Sequence, residues 1–145
     1  MSLAPYATRI DTIKDALKGV INGTTTFNGK MSFDYIENPS ASQNPFAHCS
    51  IASDSLRAIG AKETQSLITF RINIVYICDY TETAMDNLVG YIGEIVDAVE
   101  VNRKLGTSVI DTTEITNVTF GFDEGEEGLV RYSTIIITVR TLRNM

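Results

Sequence analysis

The chain carries one histidine, His48, followed at once by Cys49. An imidazole beside a thiol is raw material for two chemistries, metal ligation and base-assisted nucleophilic attack. A zinc centre takes three or four Cys, His or carboxylate ligands at defined spacings. Here only neighbours are offered, and neighbours on a strand point to opposite faces. Ser50 and Ser53 are the hydroxyls nearest His48 in sequence, but no strand-to-helix elbow motif presents either one. Neither GxGxxG nor GxxxxGK[ST] occurs, so no phosphate cradle is spelled out. A third cluster, Asp123, Glu124, Glu126 and Glu127, lies in "FDEGEEGL". Calcium would want the twelve-residue loop of an EF-hand between two helices, whereas these acids sit at the tip between two β-type runs. The residues therefore assign no catalytic group, no metal ligand and no cofactor. His48 and Cys49 read as structural, and the acids as a solvated tip or as part of a contact surface.

Positioning even a contact surface requires a core, and the bulk numbers supply one. The 145 residues are 43% hydrophobic and 21% charged, one domain's worth of chain over residues 1–145. Such a length buries roughly 68% of the surface exposed by the unfolded chain. The formal charge of −6 argues against phosphate-backbone affinity, which needs clustered Lys and Arg. No basic segment leads into an apolar run, and no apolar run is long enough to span a bilayer. Two cysteines are too few for a disulfide framework, so a reduced, cytosolic origin is expected.

Tyr6, Ile10, Ile13, Leu17 and Val20 recur at helical spacing between Pro5 and Ile21, with Asn22-Gly23 as a stop. Phe27 to Ile36 alternates as a strand. Glu37 to Pro45, with two Asn-Pro pairs, predicts a surface loop. Phe46 to Ile51 predicts a short strand, and Ala52 to Thr64 a loop or short helical turn. Ser66 to Cys78 is the clearest strand, apolar on both faces by Val75 and Ile77. That end should be buried on two sides, under a helix or against another subunit. A second helix runs from about Thr81 to Lys104 on the stripe Met85, Leu88, Val89, Ile92, Ile95, Val96 and Val99, with Asp79 and Glu82 resembling a capping box. Ile110 to Phe122 and Leu129 to Leu142 form a β-hairpin. The order α-β-β-β-α-β-β predicts an α+β fold: an antiparallel or mixed sheet with two main helices packed on one face.

Two features concern surface. Gly90 and Gly93 interrupt the second helix, each at a cost of about 1 kcal/mol against alanine. They are either tolerated at the surface or demanded by another backbone's close approach. The last strand, "RYSTIIITVRT", is apolar on both faces, a hazard on an exposed sheet edge. It must be central, or covered by a neighbour through Ile135, Ile137 and Val139.

With these elements the chain resembles the tail terminator proteins of long-tailed bacteriophages and of phage-tail-like particles. The resemblance is carried by "TRIDTIKDALKGVI", a Pro-bearing loop, "FRINIVYICD", "TAMDNLVGYIGEIVDAV" and "ITNVTFGFDEGEEGLVRYSTIIITVRT". It spans nearly the whole chain through diffuse features, with no single diagnostic motif. It implies a structural virion protein, not an enzyme, assembled in the bacterial cytoplasm. Copies would form a ring, commonly a hexamer, that ends polymerisation of the tail tube protein and meets a head or neck protein. DNA would pass through the channel without specific binding, repelled by the Asp123, Glu124, Glu126 and Glu127 loop if that loop faces the lumen or the tube. No membrane enters the scheme. The subunit contact would involve Gly90, Gly93, Ile135, Ile137 and Val139. Two rivals remain: a neck, connector or tube-initiator ring of the same particle, and a small ligand-binding domain. The latter requires polar side chains converging in a pocket between helices and sheet.

Overall fold

A computed structural model describes residues 6–28, 31–33, 44–58, 63–78, 81–107, 110, 112–125 and 128–144. The elements are α1 (Tyr6–Asn22), β1 (Met31–Ser32), β2 (Phe46–Ala58), β3 (Glu63–Cys78), α2 (Glu82–Val101), β4 (Thr112–Gly125) and β5 (Gly128–Asn144). One sheet holds the five strands in the order β1-β2-β3-β5-β4. Every pairing is antiparallel except the short parallel contact of β1 with Ala47 and His48 of β2. The α+β order read from the sequence is the order observed.

Period-two alternation explains how the sheet carries both helices. Ile68, Phe70, Ile72 and Ile74 of β3 stand opposite Val139, Ile137, Ile135 and Ser133 of β5, on one face. Against that face pack Ile13, Leu17 and Ile21 of α1 and Leu88, Ile92, Ile95 and Val99 of α2, forming one cluster with Ala47 and Cys49 of β2. Most of each helical stripe lands there, but Tyr6 of the first and Met85 and Val89 of the second, expected on the buried stripes, stay exposed. Aromatic edges tie the layers together. Tyr91 of α2 meets Tyr76 of β3 at 5.2 Å and 88°, and Phe27 beyond α1 at 6.2 Å and 82°.

Several boundaries differ from the sequence reading, each for a local reason. Phe27 belongs to the turn after α1 and is buried there, and the described part of that strand is only Met31–Ser32. Residues 34–43, most of the expected loop, lie outside the described residues. Ala52 to Ala58 is neither loop nor helical turn but the continuation of β2, and β3 already begins at Glu63. The polar run "SDS" hid a strand because its groups are satisfied sideways. The ladder to β3 takes the backbone, and Asp54 accepts hydrogen bonds from Tyr6 Oη at 2.7 Å and from Ser66 Oγ. Thr81 caps α2, its Oγ1 accepting from the Ala84 N–H at 3.0 Å. Asp79, expected in that role, lies outside the described residues. α2 ends at Val101, and the chain then turns through left-handed Leu105 (φ 50°) and Gly106 (φ 76°). Burying Leu105 offsets the strain of a bulky residue at positive φ.

β5 resolves the question of the greasy last strand by being central, between β3 and β4. Ile135, Ile137 and Val139 are each 0% exposed within one chain. The expectation that these three side chains meet another subunit therefore gives way: they are core, and no neighbour can reach them in the folded chain.

Candidate functional site

His48 and Cys49 are separated by the strand that carries them. Cys49 pairs with Ile72 on the helix-covered face, and His48 pairs with Asn73 on the opposite one. Burial pushes the Cys49 thiol up to about 12, with Lys14 pulling weakly the other way. A thiol so placed is a core group, not a nucleophile. Native protein at pH 8 is accordingly expected to leave Cys49 unmodified by a thiol reagent until it unfolds. Peptide mapping after a timed pulse checks this, and equal labelling of native and denatured Cys49 would contradict it. His48 stacks on Phe46 at 6.4 Å between centroids, and burial lowers its pKa below 6.5. Among the described residues no three His, Cys, Asp or Glu side chains converge as a metal site.

Two polar arrangements escaped the sequence reading. In the first, Tyr6, Asp54 and Ser66 join the first turn of α1 to the β2–β3 hairpin. No histidine takes part, and both Asp54 oxygens already accept, so the trio acts as a clamp. The second is the Glu94 carboxylate, which accepts from the Thr26 N–H at 2.9 Å and from Thr26 Oγ1, pinning the turn after α1 to α2. Glu94 also borders an open groove of about 700 Å³ between the two helices, with Asp15, Gly19, Gly23, Ala98 and Leu105. Separations of 48, 12 and 68 residues leave no pattern that a linear reading can find.

Of the acidic tip, Asp123 and Glu124 are exposed at the end of β4; Glu126 and Glu127 lie outside the described residues. Gly90 and Gly93 face open space, for a Cβ built on either meets nothing within 4 Å. No backbone of the same chain demands glycine there. Gly121 is different: a Cβ there would stand 2.3 Å from the Tyr132 ring, which lies across it. On the outer strand β4 that ring covers backbone which a glycine leaves bare.

The surface that remains is apolar and unevenly distributed. Leaving aside Val101 and Tyr132, the exposed large apolar side chains among the described residues fall into two groups at opposite edges. One comprises Phe120 (54% exposed) and Phe122 (60%) of β4 with Met85 and Val89 of α2. Phe120 and Phe122 stand opposite Ser133 and Arg131, so they share the helix-side face. Met85 and Val89 are one turn apart on the flank of α2 turned away from Tyr91 and Glu94, which meet the α1 side. The other group, Tyr6, Ile51 and Leu56, lies along α1 and β2.

Comparison with known proteins bears on the fold. The chain matches no family model and no curated protein. Among solved structures it is similar to a second α+β chain, recorded without a functional name, at TM-score 0.51 and 11% identity, covering 94% of this chain and 96% of that one. The two share a fold. It is also similar, at TM-score 0.41 and 12% identity, to a chain in the virion of a native gene transfer agent particle, with 86% and 83% of the two chains covered. Among the described residues no helix is long and apolar enough to cross a membrane.

Proposed function

We propose that this protein is a structural component of a phage-tail-like particle: a tail terminator whose copies close into a ring at the head-proximal end of the tube. In this role it ends tube polymerisation, presents a face to the head or neck protein and performs no catalysis. The resemblance in sequence supports the role. The observation that carries it is the apolar group Phe120, Phe122, Met85 and Val89, left at the surface after one chain has completed its core. Two phenyl rings more than half exposed side by side on an outer strand mark a surface that a partner covers. Asp123 and Glu124 at the end of β4 then suit the channel or the tube-facing rim, where carboxylates repel DNA phosphates.

Negative-stain images of the purified protein are expected to show annuli with a central hole. A stable monomer by light scattering at high concentration would overturn the ring. The terminator role has its own test. Added to polymerising tube protein from the same particle, the chain is expected to shorten tubes in proportion to its concentration. Tubes of unchanged length would leave a ring but not a terminator.

A further inference from the structure

The exposed apolar groups at the two edges of the molecule differ in their charge. α2 and β4 carry eight carboxylates and no Lys or Arg, whereas α1 and β2 carry four Lys or Arg against three carboxylates. We infer that the Phe120–Phe122–Met85–Val89 flank of one copy seats on the Tyr6–Ile51–Leu56 flank of the next, head to tail. This rests on the self-assembly proposed above and names its two halves.

Three physical arguments select this pairing. Glu94 turns to α1, and Glu114 and Asp123 stand opposite Thr138 and Val130 on the other face of the sheet. The five other carboxylates of α2 and β4 still outnumber Arg131, which stands opposite Phe122, so a two-fold contact through that flank is disfavoured. The opposite flank offers an apolar side chain beside a cation, Arg9 lying over the Tyr6 ring at 5.8 Å. Finally, a contact between unlike patches repeated by one rotation closes into a ring, which the proposed role needs. The contact runs through side chains and not through a shared strand ladder. β2 has a register shift between Ile51 and Ser53, and β4 has one between Ile115 and Asn117. Such bulges turn outer strands away from simple edge pairing.

The test uses two full-length variants, Phe120→Asp on one flank and Leu56→Asp on the other, with Val89→Asp as a second probe of the first flank. All three positions are exposed, and unchanged thermal melts at low concentration establish that each variant folds. Each variant alone is expected to elute as a monomer where the wild type elutes as a ring. An equimolar mixture of Phe120→Asp and Leu56→Asp is expected to give a dimer and nothing larger, because the pair retains one intact contact. Rings from both variants would overturn this inference and leave the ring itself standing. A dimer from Leu56→Asp alone would show a two-fold contact and overturn it as well. A wild type that stays monomeric would overturn both this inference and the assembly it rests on.

Discussion

Ile137→Ala is expected to lower the unfolding free energy by about 2–5 kcal/mol, the range for a large aliphatic residue cut down in a tight core. Ile137 is fully buried opposite Phe70, in the cluster that both helices cover. The loss should be the same at every protein concentration. That separates a core role from a subunit contact, since a contact residue stabilises only in proportion to the assembled fraction. Urea titrations at low and high protein concentration check this. A loss that vanishes on dilution would return Ile137 to an interface.

Replacing Gly90 and Gly93 together by alanine is expected to stabilise the monomer by about 2 kcal/mol, about 1 kcal/mol at each site. The reason is open space: neither new methyl group meets an atom within 4 Å. For a chain of this size the melting temperature should rise by roughly 4–8 °C. Gly93, one turn from Val89, also borders the flank proposed for assembly. Gly93→Leu is therefore expected to fold and to assemble poorly, if a neighbouring backbone lies close. Normal rings from Gly93→Leu would make the glycine merely tolerated.

How far the sequence is legible depends on whether a signal is local. The stripes Ile13, Leu17 and Leu88, Ile92, Ile95 announce their helices because a helix makes its own hydrogen bonds and the period shows on one element. Ser53 to Leu56 concealed a strand because the evidence for it lies elsewhere, on β3 and on Tyr6. Period two places Phe120 and Phe122 on one face of a strand, but alternation is silent on whether a helix covers that face. Their exposure is a tertiary fact. The isoleucines of β5 had two admissible explanations, and only the strand order decides between them. His48 and Cys49 were separable in advance, since neighbours on a strand must point apart.

The central pairing has a consequence for synthesis. Glu63–Cys78 closes on Leu129–Asn144 across the middle of the sheet, so the heart of the domain joins segments far apart in sequence, which is slow to form. A nascent chain still lacking β5 has both helices and a hairpin but nowhere to bury them. A chain in which β5 is not yet paired therefore lacks the finished fold on which any partner surface depends.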